Sequence, residues 1–334
     1  MSGTPSTGYR RLAVATVVAT FLLIIVGGIV RVSDSGLGCG PGGSGFHGWP
    51  FCNGDVVPGV DLNSIVEYSH RALAGIVGLL MLALFIGAWR RYRANRALLF
   101  VSGSLLLLVL AQAVLGGATV EENLEEALVA AHLCLAMLLL GGLLWVVRAT
   151  KPGVMGASPA LGGRGFRALA VVASLVVLAT IVAGGYMAGT QKYGRPDYQL
   201  GDGAHHACGK EFPSCNGELM PFGQARLVDI HLTHRAFMYL AVFLVLALAL
   251  IALRRRPSDG VVRSAWALIA LLVVQVLVGA LNVWLDEYEV LIVLHLALGT
   301  LLWSAAAWLT MQLYRVPAPT GERSPGRGAE ALTA

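Results

Sequence analysis

Two stretches of the chain, Glu67-Tyr-Ser-His70-Arg71 and His231-Leu-Thr-His234-Arg235, carry the same histidine–arginine pair, 164 residues apart (234 − 70). A second histidine motif also recurs: Ala-His132-Leu-Cys-Leu-Ala returns as Leu-His295-Leu-Ala-Leu-Gly, 163 residues later (295 − 132). The chain therefore contains an internal repeat. Each half places two histidines near the start of long apolar segments. The halves differ where Glu67 of the first corresponds to His231 of the second, which predicts two related sites with different tasks.

The composition indicates a membrane protein. The chain is 56% hydrophobic and 13% charged, whereas soluble domains are roughly 25% charged. Eight apolar runs reach the length of about 20 residues that a bilayer crossing needs. The first run has full spanning length, so we interpret it as a retained helix and not as a signal peptide. The predicted spans are 12–32, 65–89, 97–119, 125–147, 166–188, 229–253, 263–285 and 289–313.

The charges predict how these helices are oriented. Arginines and lysines cluster before the first helix and in alternate loops, whereas acidic residues cluster at 121–126 and 286–289. Basic residues favour the cytoplasmic side, so both termini are expected in the cytoplasm and the long loops 33–64 and 189–228 outside. This sorting explains the net charge of +5 without a nucleic-acid partner, and it predicts a multi-pass protein of the cell membrane.

The repeat predicts the architecture: an all-α membrane protein made of two parallel four-helix pseudo-repeats. We expect an N-terminal half at 1–150, a C-terminal half at 164–316 and a disordered cytoplasmic tail at 317–334. Four crossings return each half to its starting side, so a pseudo-twofold axis should run along the membrane normal. All four repeated histidines then lie at similar depth, towards the outer side.

Small residues recur beside these histidines. Gln112-Ala-Val-Leu-Gly116-Gly matches Gln275-Val-Leu-Val-Gly279-Ala, and Val26-Gly27-Gly28 resembles Ala183-Gly184-Gly185. Small residues in membrane helices permit close helix approach, or they leave room for a flat ligand.

Ionisable residues in membrane helices are costly and usually functional. Histidines can also serve as hydrogen-bonding glue between helices, but four at matched depth favour binding sites. A zinc ion would need ligands beyond two histidines. Two imidazoles on facing helices suit a six-coordinate haem, whose porphyrin supplies the other four nitrogens.

The cysteines predict one disulfide in each long loop, Cys39–Cys52 and Cys208–Cys215, because the external compartment permits disulfides. They act as loop staples, or as a redox pair if the bridges are labile. Cys134 is expected to pack inside a helix. We expect His47, His205 and His206 to be solvated in the loops.

Residues next to the histidines have two interpretations each. Glu67 lies three residues before His70, so it is either an acid favoured by the helix dipole or a proton acceptor beside a bound substrate. Arg71 and Arg235 either neutralise haem propionates or anchor the helices at the interface. His231 could replace His234 as a ligand, although the repeat favours His234.

Together these motifs resemble the haem A synthase family. The resemblance rests on eight helices in two halves, Glu67-x-x-His70-Arg71, His234-Arg235, His132 and His295, and it covers about residues 12–313. The paired aspartate motifs expected of the prenyltransferase that makes haem O are missing. Cys39-x12-Cys52 is longer than the family's spacing, which makes a redox role for that pair less secure.

The resemblance implies an oxidoreductase that converts the C8 methyl of haem O into a formyl group through hydroxylated intermediates, with water as the oxygen source. It implies a substrate haem between His70 and His132 with Arg71 nearby, and Glu67 as the catalytic carboxylate. It implies a haem b cofactor between His234 and His295 with Arg235 nearby. The implied partners are haem O, membrane lipid, an electron acceptor and the haem O synthase; a homo-oligomer is compatible with it.

Three other classes share some of these features. A dihaem b-type cytochrome that exchanges electrons with quinone would use the same histidine pairs, but a transmembrane electron path would need haems at two depths. Parallel repeats also occur in transporters, although broken helices are absent from the pattern. A thiol–quinone oxidoreductase would depend on the four loop cysteines.

Overall fold

A computed structural model describes residues 6–156, 160–191, 203–285 and 288–317. Within these ranges the chain forms eight long helices and two short 3₁₀ turns, of which Ala204–Cys208 bears on the site. Each long helix is long and apolar enough to cross a membrane, so the protein is a multi-pass membrane protein. The helices are α1 (Thr7–Val32), α2 (Leu62–Arg91), α3 (Arg96–Glu121), α4 (Glu126–Ala149), α5 (Arg164–Gly189), α6 (Arg226–Arg255), α7 (Asp259–Trp284) and α8 (Glu289–Gln312).

The helices correspond one to one with the predicted spans, but several begin earlier than their apolar runs. α1 begins at Thr7, five residues before the predicted start (12 − 7), because the Ser6 side chain accepts a hydrogen bond from the Tyr9 amide. Ser258 caps α7 in the same way, through the Val261 amide. Polar N-caps satisfy the first amides of a helix and so extend it beyond its apolar stretch.

Each half packs as a four-helix unit, as the repeat predicts. Helices that follow one another in the chain are neighbours, and α1, α4, α5 and α8 form the contact between the halves. Because successive helices reverse direction, the α1–α2 loop (33–61) and the described parts of the α5–α6 loop (190–191 and 203–225) lie at the same end of the bundle. We call this end the loop face. The predicted disordered tail lies outside the described residues from 318 onward.

The opposite end of the bundle joins the halves through backbone hydrogen bonds. The Leu161 amide donates to the Leu313 carbonyl at 3.0 Å, and the Gly156 amide donates to the Val316 carbonyl at 3.1 Å. Arg148 of α4 donates to the Tyr314 carbonyl at 3.2 Å. The loop after α4 is therefore tied to the segment after α8.

The two seams between the halves differ at the loop face. The seam between α4 and α5 is closed, since Gly189 lies directly against the Glu126 backbone and Arg226 forms an ion pair with Glu126 at 2.7 Å. The related seam between α1 and α8 holds an apolar cavity of about 450 Å³, lined by residues such as Ile29, Val293 and Leu294. The pseudo-twofold symmetry of the bundle is broken at this point.

Candidate functional site

A glycine on the preceding helix backs each of the four repeated histidines. A side-chain Cβ built at these glycines would approach the imidazole Cε1 to within 2.8–3.3 Å, closer than a comfortable contact. The predicted small residues therefore make room for the imidazole rings themselves. The pairs are Gly27 with His70, Gly116 with His132, Gly184 with His234, and Gly279 with His295.

The helix backbone orients some of these rings. His234 places Nδ1 3.0 Å from the Thr180 carbonyl, four residues before Gly184. The Leu23 carbonyl lies at the equivalent place beside His70, although its geometry falls short of a full hydrogen bond. An Nδ1–H that points at a backbone carbonyl leaves the Nε2 lone pair available for a metal.

The histidines form two pairs, one in each half. His70 lies near enough to His132 to interact with it electrostatically, and His295 lies in the same relation to His234. Within the described ranges no three His, Cys, Asp or Glu side chains converge to hold a metal ion. Two imidazole donors per site are the number that a porphyrin-bound iron needs to become six-coordinate. The Nδ1 atoms of His132 and His295 are buried and have no hydrogen-bond partner.

Glu67 is buried beside the first pair. The residue is only 3% exposed. One of its carboxylate oxygens accepts a hydrogen bond from the Cys39 amide at 2.8 Å. The other oxygen is paired with Arg71. Arg71 also donates to the Gly48 carbonyl at 2.7 Å and to the Phe51 carbonyl at 2.8 Å. The carboxylate is thus fixed between α2 and the 33–61 loop.

The C-terminal half repeats this arrangement with a different residue. His231, in the position of Glu67, places Nδ1 2.7 Å from the Ala204 carbonyl. Arg235 donates to the Ser214 carbonyl at 2.7 Å and to the Glu211 carbonyl at 2.8 Å. Both arginines of the repeated motif therefore hold a long loop onto the bundle, which favours the anchoring interpretation over propionate binding.

Both expected disulfides are present. Cys39 is joined to Cys52 and Cys208 to Cys215, so the longer Cys39-x12-Cys52 spacing still closes. Cys134 is a free, half-buried thiol in α4. The first disulfide includes the residue whose amide binds Glu67, which connects this loop staple directly to the carboxylate.

The prediction that His205 is solvated is wrong. His205 lies in the 3₁₀ turn Ala204–Cys208, and its Nδ1 is buried without a partner. Burial first, and then nearby His231 and Arg31, lower the pKa of His205 to about 3. His206 is also partly buried, whereas His47 is exposed as expected. No local sequence pattern indicates this burial, because the loop folds back onto α6 through contacts distant in sequence.

Two glutamines contact the histidines, and sequence reasoning assigned them no role. The Gln112 side-chain amide donates to the His132 carbonyl at 2.8 Å. Gln275 instead places its Nε2 3.3 Å from Nε2 of His295. Their repetition at an offset of 163 residues (275 − 112) was the signal that could have identified them.

Residues next to the two histidine pairs pack against each other across the contact between the halves. Leu296, next to His295, packs against Gly28, and Leu133, next to His132, packs against Gly185. Each of these glycines adjoins one that backs a histidine of its own half. The histidine pairs of the two halves are therefore linked by directly packed residues.

Comparison with known proteins identifies the family of the chain. Residues 60–307, which contain all four histidines and Glu67, match the family model of the cytochrome oxidase assembly proteins (COX15-CtaA). The haem A synthase of Alkalihalophilus pseudofirmus is 27% identical over 92% of this chain and 99% of that protein. The haem A synthase of Symbiobacterium thermophilum is 32% identical over 81% of this chain and 84% of that protein.

A further relative carries another name. The protoheme IX farnesyltransferase of Thermus thermophilus is 29% identical over 93% of this chain, but the match covers only 49% of that longer protein. The family match and the relatives aligned over nearly their full length both indicate the same family. The chain therefore belongs to the family of cytochrome oxidase assembly proteins that contains the haem A synthases.

Proposed function

We propose that this protein is an oxidoreductase of haem A biosynthesis, which oxidises the C8 methyl of haem O to a formyl group. The observation that carries the proposal is the asymmetry of the two sites. Buried Glu67 stands one turn from the first histidine pair, and the second half has His231 in its place. Its relatives named haem A synthase support the same assignment.

The chemistry balances with water as the oxygen source. The methyl group and one water give a hydroxymethyl group, two electrons and two protons. The hydroxymethyl group and a second water give a gem-diol, two further electrons and two protons. Loss of one water from the gem-diol leaves the formyl group. Each oxidation therefore needs a proton acceptor beside the substrate and an exit for electrons.

Glu67 is the proton acceptor in this scheme. A positioned carboxylate contributes typically 10²–10⁴-fold to such proton transfers. The Cys39 amide and Arg71 hold the Glu67 side chain in one orientation, so little reorganisation is needed when a proton moves. His70 and His132 would bind the iron of the substrate haem in the half that contains Glu67.

The C-terminal half is the electron exit. His234 and His295 would hold a haem b, which supplies one-electron transfer when bound. Thr180 and Gly184 orient the His234 ring for that task. The packed contacts of Leu296 with Gly28 and of Leu133 with Gly185 keep the two sites adjacent. Electrons then pass to an external acceptor.

The membrane setting fits a prenylated substrate. We infer that both termini are cytoplasmic and that the loop face, with its disulfides, lies on the outer side. The Thermus thermophilus relative named for farnesylation of protoheme supports a partnership with the haem O synthase, which would deliver the substrate within the membrane.

Expression of the chain with a source of haem O tests the proposal. We expect haem A, or its hydroxylated precursor, among the extracted haems separated by chromatography. A fixed two haem b per chain, with no haem O or haem A under these conditions, would identify a dihaem cytochrome instead.

A further inference from the structure

The cavity between α1 and α8, which we call the seam cavity, is lined by residues that break the symmetry of the bundle. At the offset that relates α1 to α5, 157 residues (184 − 27), Val32 corresponds to Gly189. At the offset that relates α4 to α8, 163 residues (295 − 132), Val293 corresponds to Ala130. Small residues let α4 and α5 meet directly, whereas the two valines line the seam cavity. Branched side chains thus separate α1 and α8.

The ion pair that closes the other seam has no equivalent here. Glu289 corresponds to Glu126 (289 − 126 = 163), and Leu62 corresponds to Arg226 (226 − 62 = 164). Glu126 is paired with Arg226 at 2.7 Å. Glu289 is exposed beside the seam cavity, and its carboxylate has no ion-pair partner in the part of the chain that the structure describes. The seam cavity therefore has the acid of the closed seam without its cation.

The mouth of the seam cavity offers hydrogen-bond acceptors and no free donor among the described residues that line it. Exposed Asp34 follows Ser33 at the end of the α1 wall. The Ser33 hydroxyl donates to the Ile29 carbonyl at 2.8 Å, so its only proton is used. Arg31, which acts electrostatically on Asp34, donates to the Ala188 carbonyl of α5 at 2.7 Å. A ligand here would meet two carboxylates.

The seam cavity has the depth of one membrane leaflet. It begins at Glu289 and reaches Ala297, eight residues and about 12 Å further along α8. Half of a hydrocarbon core of about 30 Å is about 15 Å. Between these two residues the α8 wall is apolar, and Val290 and Leu294 are exposed. An apolar slot along the helix axis, with acids at its polar end, matches a lipid acyl chain below a headgroup.

We propose that the seam cavity binds one phospholipid with a primary ammonium headgroup, of the phosphatidylethanolamine class. The acyl chain lies between α1 and α8, and the ammonium donates to Glu289, as the Arg226 guanidinium does to Glu126 in the closed seam. The two carboxylates repel an anionic headgroup. A quinone would need donors for its carbonyls, and a farnesyl chain carries no cation, so both fit the mouth less well.

Photocrosslinking tests the inference. The purified full chain in detergent is irradiated with phosphatidylethanolamine that carries a diazirine in its acyl chain, and labelled peptides are mapped by mass spectrometry. We expect label in 29–33 and 289–297. Unlabelled phosphatidylethanolamine should compete about threefold better than phosphatidylglycerol with the same chains, as for an exposed ion pair. Glu289→Gln should remove this preference, whereas Glu122→Gln, at an exposed acid of the same helix end, should keep it.

A second variant tests the position of the acyl chain. Ala297→Phe fills the inner end of the seam cavity and should abolish labelling of the two segments, with gel filtration as the control for folding. Equal competition by the two lipids in the wild type, or a preference that survives in Glu289→Gln, would overturn the inference. Stronger competition by a quinone or by farnesol, or cross-links between two copies of the chain through these segments, would assign the seam cavity to another occupant and also overturn it.

Discussion

The two halves hold their histidines in the same way but place different residues one turn closer to the loop face. In both halves a glycine backs each imidazole, and the motif arginine ties a long loop to the bundle. Glu67 accepts a hydrogen bond from the Cys39 amide. His231, in contrast, lies against the Ala204 carbonyl, which can only accept. The two halves thus share the packing of their histidines and differ at the position of Glu67, to which we assign the proton transfer.

The largest expected effect is at this position. Glu67→Gln keeps the size of the side chain and its contact with the Cys39 amide but removes the proton acceptor, so haem A formation should fall by about 10² or more. Chromatography of extracted haems measures this. His231→Gln, at the matched position, should leave more activity than Glu67→Gln. Equal loss in both variants would remove the distinction between the halves.

The glycines behind the imidazoles come next. Gly279→Ala would place a methyl group 2.8 Å from the His295 ring, and such overpacking costs typically about 1–3 kcal/mol. We expect weaker retention of the resident haem, roughly tenfold, measured by absorbance during purification. Gly116→Ala, behind His132, should leave the resident haem in place and slow conversion of haem O. Loss of the resident haem from Gly116→Ala would contradict the division of tasks.

A smaller effect is expected at the motif arginines. Lysine cannot reproduce the several fixed donors of a guanidinium, so Arg71→Lys should loosen the 33–61 loop and misplace Glu67. We expect haem A formation to fall several-fold, on the order of the 1 kcal/mol that one hydrogen bond contributes. Arg235→Lys serves as the matched variant, since it loosens the other loop. If only Arg235→Lys affected turnover, Arg71 would not position the carboxylate.

The last prediction concerns pH and the stability of a loop, and we expect little effect on turnover. Burial lowers the pKa of His205 to about 3, from an ordinary value of 6.5, so the unfolded chain binds this proton more readily than the folded one. Stability of the 203–225 loop should therefore fall as the pH decreases from 6.5 towards 3. His205→Asn should flatten this dependence, as followed by proteolysis of the loop. His47→Asn, at an exposed histidine, should not change it.

The sequence predicted the fold, and it singled out the residues that we propose for the site, because both follow from local patterns. Apolar runs marked the eight helices, and the repeat paired His70 with His132 and His234 with His295. It did not predict contacts that depend on how distant segments pack. Three such features required the three-dimensional structure. They are the hydrogen bond from the Cys39 amide to Glu67, the burial of His205, and the different orientations of Gln112 and Gln275.

The glycines show how far a local sequence pattern can predict the site. Gly27, Gly116, Gly184 and Gly279 were visible as repeated small residues, and two uses were open: close helix packing or space for a flat ligand. Only the structure shows that each one accommodates an imidazole ring. A small residue in a sequence marks available space, but its occupant depends on the rotamer and position of a residue on another helix.

The haem content of two double variants tests the central claim most directly. His70→Ala/His132→Ala and His234→Ala/His295→Ala are each expressed with a haem O source, purified and analysed by haem extraction and chromatography. We predict that the first variant retains haem b and contains neither haem O nor haem A, and that the second lacks haem b and retains unconverted haem O. The reverse pattern, or loss of both haems from both variants while each remains folded, would contradict the assignment of substrate and cofactor to separate halves.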